Sequence, residues 1–363
     1  MTGTEACIAL NMVPNLGPVR LRKLLEVFET PERVLLARAS ELKTVDGIGK
    51  EIAEGIATWE SHVDLPAELR RIADFGAKVF TRDSPEYPRH LREIYNPPIV
   101  LYVWGTLTER DHRAVSVVGS RKTSHYGLEC AKKLSYQMAY AGLTVVSGLA
   151  RGIDTAAHQG ALAALGRTVA VIGSGLMQLY PPENQGLAEK IAESGAVVSE
   201  YPMEFPPARE NFPYRNRIVA GWGAGLLVVE AGFNSGALIT ASQAIDHGRQ
   251  VYAVPGPIDR PTAAGSNRLI QQGAKLVTGA GDILDDLNIL IPPEPANRSF
   301  SATSETFTEE EQAVLKTLEE GETSLDDLVT KCRLPIQIVS STLLALEMKR
   351  RVKVLPGQHF ARI

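Results

Sequence analysis

Cysteine is scarce: Cys7, Cys130 and Cys332 lie far apart in 363 residues, with no C-x-x-C pair. That excludes a disulfide-built scaffold and reads as reduced thiols in a cytosolic protein. An excess of basic charge is missing too, since 38 Lys and Arg face 42 Asp and Glu for a net charge of −4. A histone-like surface is thereby excluded, whereas a local basic stripe is not. No apolar run approaches the ~18 residues of a membrane helix, and MTGTEACIALNMVP lacks a signal-peptide pattern. A soluble, cytoplasmic protein is expected. The seven histidines form neither H-E-x-x-H nor an i, i+4 pair, and there is no G-x-S-x-G elbow. Neither G-x-G-x-x-G nor G-x-x-x-x-G-K-[ST] occurs. The reading therefore assigns no metal, no cofactor and no catalytic set.

What is present supports ordinary globular cores: 44% of residues are hydrophobic, over a length that suits two or three domains. Residues 1–80 read as a small all-α domain, with helical spacing in VRLRKLLEVF and ELRRIADFG. Between these, Gly47-Ile48-Gly49 opens a helix that places Ile48, Ile52 and Ile56 on one face. This has the character of a helix-hairpin-helix, whose glycine turn offers amides to a DNA phosphate, and residues 15–25 repeat the idea more loosely. Glu51 and Glu54 sit close to the turn and oppose that contact.

Residues 81–290 alternate strand and helix. Strands are expected at 115–118, 144–147, 168–172, 196–199, 226–229, 250–254 and 275–277, with helices at 128–141, 155–165, 183–194, 214–222, 237–247 and 266–272. The strands are short continuous apolar runs, as strands buried on both faces should be. The fold class is α/β: a Rossmann-like, open, mostly parallel sheet with helices on both faces. Strand order does not follow from the sequence. Residues 291–305 are proline- and serine-rich and read as a linker. Residues 306–363 suggest a winged-helix-like domain with Val339, Leu343 and Leu346 at core spacing and Glu347 beside the basic cluster 349–351. That mixture suits a protein contact at least as well as DNA reading.

Ligands of a parallel sheet sit beyond the carboxyl ends of its strands. There the sequence places Gly119, Ser120 and Arg121; then Ser147, Gly148, Arg151 and Asp154; then Gly173, Ser174 and Gly175. The next loop ends in Phe212, Tyr214, Arg215, Asn216 and Arg217, and the one after it leads to a helix capped by Ser235. Small residues clear the way to backbone amides, and arginine supplies a forked permanent charge, so the rim suits a polyanion. A dinucleotide would want an acidic residue where Ser147 stands. Single-stranded nucleic acid wants arginines for phosphate and aromatic faces for bases, and NFPYRNR supplies both. Glu200 and Glu230, just past strand ends, read as hydrogen-bonding partners of loop amides, and Asp154 as an organiser of its loop.

These residues carry a resemblance. VSVVGSRKTSHYG, VVSGLARGIDTAAHQGAL, VAVIGSGLMQLYPPEN, FPYRNRIVAG and VVEAGFNSGALITA closely resemble the DNA-processing protein A family, DprA or Smf, over the whole central block. The upstream segment 87–105 and both flanking domains are similar to parts of that family too. The resemblance implies a protein that binds single-stranded DNA and loads the RecA recombinase during natural transformation. It also implies a homodimer built through the Rossmann-like domain. The family's G-S-R motif falls on Gly119, Ser120 and Arg121, and its F-P-x-R-N-R stretch on 212–217. Pro182 and Glu183 depart from members that carry a lysine in that loop. Two rival readings remain: a nucleotide phosphoribohydrolase, to which EAGFNSGALITA is loosely similar, and a helix-hairpin-helix adaptor for duplex DNA.

Overall fold

Nine strands form one sheet in the computed structural model: β1 Lys78–Thr81, β2 Val100–Gly105, β3 Ala114–Val118, β4 Thr144–Ser147, β5 Thr168–Ile172, β6 Ala196–Ser199, β7 Gly225–Val228, β8 Gln250–Ala253 and β9 Lys275–Leu276. Their order is β1-β2-β6-β5-β4-β3-β7-β8-β9. From β6 to β9 every pairing is parallel, and β2 and β1 extend the β6 edge antiparallel. The chain thus winds outward from β3 to β6, then returns to the far side of β3 with β7. Such a reversal opens a crevice beyond the carboxyl ends of the two central strands. The expected strands and helices form where the sequence places them, to within a few residues. The two antiparallel strands were not anticipated, although β2 lies in the apolar run IVLYV.

Alternation along each strand sends side chains to opposite faces. Leu101, Val103, Val171 and Val198 share one core with Ile218 and Trp222. Their neighbours Tyr102, Ile172 and Val197 share another with Ile8, Leu10 and Leu24 of the N-terminal helices. The first helix, Gly3–Met12, buries five consecutive residues from Ala6 to Leu10. A helix that is apolar nearly all round has to be enclosed. Residues 1–80 therefore do not keep a core to themselves: Met1–Pro292 forms one compact unit.

The second unit, Pro293–Ile363, has the helices Glu309–Leu318, Leu325–Cys332 and Ile336–Met348 and an antiparallel sheet of β10 Thr323–Ser324, β11 Val352–Leu355 and β12 His359–Arg362 in the order β10-β12-β11. Val339, Leu343 and Leu346 are buried with Val314, Leu328 and Val352, a winged-helix core. The structure describes residues 1–288, 308–318, 323–332, 334–348, 351–355 and 359–362. The expected linker and part of the basic cluster 349–351 lie outside them. Among the described residues no helix is long and apolar enough to cross a membrane, and no group of three or more His, Cys, Asp or Glu could hold a metal ion.

Candidate nucleic-acid interface

The loop after β3 is held from several sides. Ser120 donates its N–H to the Glu230 carbonyl at 2.7 Å and its Oγ to the Lys122 carbonyl at 2.9 Å, while the Ile153 amide donates to the Ser120 carbonyl at 3.3 Å. Ser124 caps the helix His125–Tyr140 by accepting from the Gly127 amide at 3.1 Å. The Glu230 carboxylate accepts from the Ser124 amide at 2.9 Å, from Ser124 Oγ at 3.0 Å, and from Thr123 Oγ1. Burial works against its ionisation, but these bonds and one from Thr262 outweigh it and hold the carboxyl below its usual range. The tip left at the surface is Arg121 and Lys122, both exposed.

Gly152 completes this anchorage. Its φ is +78°, and a Cβ there would overlap the carbonyl oxygens of Ser120 and Arg121. Gly152→Ala is expected to destabilise the protein by about 1–3 kcal/mol through backbone strain, more if the loop cannot shift. Thermal unfolding checks this, and an unchanged Tm would show that the two loops are not packed as described.

Facing this tip is a groove of about 730 Å³ at the crevice between β3 and β7. The Arg121 guanidinium lies 5.2 Å over the Phe212 ring, and Phe212 and Tyr180 stand 5.7 Å apart, tilted by 41°. Arg151 lies 5.9 Å over Tyr180 and forms an ion pair with Glu183. Exposed Arg209 also lines the groove. Cations over ring faces beside open aromatic surface offer phosphate and base contacts together. Tyr180, Lys122 and Arg209 were not among the sequence-derived site residues, although the first two stand inside motifs already singled out.

Other expected site residues face inward. Ser147 Oγ donates to the Val117 carbonyl at 2.6 Å, and Ser174 Oγ to the Gln178 carbonyl at 2.6 Å. Gly173 lies against the Phe212 ring, and Gly175 against the carbonyls of Pro202 and Met203. The helix expected over 214–222 starts three residues earlier, at Asn211, so the whole stretch 212–217 is helical and two of its arginines turn into the protein. Arg215, 4% exposed, donates to the carbonyls of Gly148, at 2.6 Å, and Val171. Arg217, 2% exposed, pairs with Glu200 and lies 4.2 Å over Tyr214. Helical geometry explains this, because the succeeding turn, Ile218–Trp222, is wholly buried. Asn216 is half-buried and accepts from Arg215 Nε at 3.2 Å. The two arginines thus brace the rim from below instead of reaching solvent.

Asp154 and Gly148 belong to the same brace. Asp154 accepts from the amides of Gly148 and Ala150 at 3.1 and 3.3 Å. Burial pushes its carboxyl up to about 6, against the pull of Arg215 and the two amides. Arg215 is itself pushed down to about 10 by burial, despite Asp154.

A doubly wound sheet with a cationic, aromatic crevice, preceded by a hairpin tandem and followed by a winged helix, defines a modular Rossmann-like protein of the DNA-processing type. The chain belongs to the DNA recombination-mediator protein A family, whose profile matches residues 78–288. A DprA winged-helix profile matches 293–358 and a SAM-like helix-hairpin-helix tandem 8–58. Protein Smf of Synechocystis sp. is 35% identical over 388 residues, covering 98% of both chains. The crystal structure of DprA from Streptococcus pneumoniae superposes with a TM-score of 0.70 at 35% identity, covering 79% of this chain and 98% of that one. A solved structure of Helicobacter pylori DNA processing protein A, described for its single-stranded DNA binding mode, gives a TM-score of 0.53 at 25% identity over 58% of this chain and 95% of its own.

Proposed function

We propose that the protein binds single-stranded DNA along the carboxyl rim of its sheet and delivers it to the RecA recombinase during DNA uptake, acting as a cytoplasmic homodimer. The observation that carries this reading is exposed Arg121 lying over the half-buried Phe212 ring at the switch-point crevice. Gly119, Ser120 and Arg121, with Lys122, form the phosphate cradle, while Phe212 and Tyr180 offer faces to bases. Arg151 forms the outer bank. Ser147, Gly148, Gly173, Ser174 and Gly175 shape the floor, and Arg215, Asn216 and Arg217 stiffen it and add positive field from beneath.

The relatives support this: the H. pylori neighbour is described as binding single strands, and the family as mediating recombination. A second copy suits the side of the helix Gly236–Asp246 that carries exposed Ile245, away from Ile239, which lines the rim groove. Binding is favoured over turnover because Glu230, the base a phosphoribohydrolase would need, is spent on Thr123 and Ser124. Duplex gripping by the hairpins is disfavoured because they are tied to each other. Arg20 donates to the Gly47 carbonyl at 3.3 Å, and Lys23 pairs with Asp46 at 2.5 Å.

Arg121→Ala tests the reading. Binding is expected to weaken for all sequences alike, and the slope of log affinity against log salt to flatten by about 0.7 for single strands. Melting should be unchanged. A lower Tm with an unaltered slope would make Arg121 a structural residue and overturn the cradle.

A further inference from the structure

A carboxylate occupies one bank of the rim groove. Arg121, Arg151, Tyr180 and Phe212 line a single recess there. They form a row, with Arg121 over the Phe212 ring, Phe212 against Tyr180, and Arg151 over the Tyr180 ring. Two rings with a cation at each end suit stacked bases flanked by two phosphates. The two ends differ, however. Arg121 makes no ion pair among the described residues, whereas Arg151 Nε donates to Glu183 Oε1.

The backbone beneath holds this pair in register. Glu183 belongs to the short 3-10 turn Pro182–Asn184, whose last residue is buried. Asn184 Nδ2 donates to the Leu149 carbonyl at 2.8 Å and to Thr155 Oγ1 at 2.9 Å. Leu149 and Thr155 bracket Arg151, so the asparagine ties the turn that carries the carboxylate to the loop that carries the guanidinium. The pair itself stays at the surface, with 52% of the arginine side chain and 50% of the glutamate side chain exposed. Both groups are therefore within reach of a strand in the groove. The hydrogen bond from Arg151 holds the Glu183 carboxyl below its usual range, so it is charged at neutral pH. An exposed pair of this kind adds little to stability. A phosphate presents oxygens to a guanidinium as a carboxylate does, so the two are alternatives at one place.

We propose that Arg151 is a second phosphate position of the groove and that Glu183 fills it as a phosphate mimic, an internal competitor that keeps single-strand affinity below what the row of side chains allows. The proposal rests on the single-strand reading above. It makes Glu183 a brake that acts through one named cation and not through its charge at large.

The test measures oligo(dT) affinity against salt around 0.15 M, where exposed charges more than about 8 Å apart are largely screened. It compares the full chain with Glu183→Gln, Arg151→Gln and the double variant. Glu183→Gln is expected to tighten binding about fourfold and to steepen the slope of log affinity against log salt by about 0.7, one further phosphate, with Tm unchanged. In the Arg151→Gln background the same substitution should alter neither affinity nor slope. Equal tightening in both backgrounds would overturn the proposal in favour of general repulsion. No tightening by Glu183→Gln alone would make the pair a structural tie and overturn it as well. Either result leaves the single-strand reading standing, provided that the full chain binds oligo(dT) and Arg121→Ala flattens its slope. Failure of the full chain to bind oligo(dT) would overturn both.

Discussion

Arg217→Met is expected to remove about 3–5 kcal/mol of stability, the range for stripping one partner from a buried ion pair. Glu200 is 5% exposed and Arg217 2%, so the carboxylate left behind has no access to water. Burial already raises the Glu200 carboxyl against the pull of Arg217, and without that cation the imbalance is larger. Much of the loss comes from the orphaned partner, so replacing both residues together by methionine should recover most of it. Urea unfolding of the two single variants and the double variant measures this. A single variant within 1 kcal/mol of the parent would mean that the pair contributes little to the fold.

Arg215→Met is expected to cost about as much at pH 7, and less at pH 5. Asp154 has a folded value of about 6, above its ordinary 3.8, because burial opposes its charge. The folded protein therefore holds that proton more tightly than the unfolded chain. Stability from this group falls as pH rises from about 4 to about 6, and the whole penalty stands above that. Removing Arg215 takes away the largest influence opposing the upward shift, so the added penalty appears at pH 7 and fades at pH 5 as Asp154 takes up its proton. His158 works the other way in the parent: burial, with Arg215, holds it down to about 3, so its contribution is present above about 6.5 and lost as pH falls. Losing Arg215 removes only the lesser of those two causes, so His158 stays neutral in the folded variant at both pH values and drops out of the comparison. The Asp154 effect makes the variant's deficit smaller in acid, by roughly 1 kcal/mol or more between pH 7 and pH 5. The comparison must be variant minus parent at each pH, because the two groups offset each other in the parent and the His158 part cancels in the difference. An equal deficit at both values would show that Arg215 acts only through its bonds to the Gly148 and Val171 carbonyls.

Much of this architecture was legible before any coordinates. Short apolar runs such as 168–172 and 196–199 could only be strands buried on both faces, and Ser235 announced the helix it caps. The glycine and serine loops after these strands were placed at one rim because parallel strands all end on the same side. Local chemistry settled these points, since strand burial, helix capping and tight turns each depend on a few neighbouring residues. Arg121 belongs here too: a charged residue two positions past a buried strand and a glycine has few places to go except the surface.

Strand order, the β3–β7 crevice and the fate of the other arginines were decided only by the tertiary structure. In sequence, Arg215 and Arg217 look equivalent to Arg121, as cations beside aromatic residues. The distinction lies in partners remote along the chain: Gly148 and Val171 for one, Glu200 for the other. Whether a guanidinium faces solvent or a buried carboxylate depends on which face of its helix the sheet covers, and no local pattern carries that information. The first helix shows the same limit, for its five consecutive buried residues require enclosure without saying by what. The sequence by itself determined the elements, the family and the rim on which the loops gather. Long-range packing determined which of the rim's charges are left for a ligand, because burial is a property of neighbours that the chain brings together only on folding.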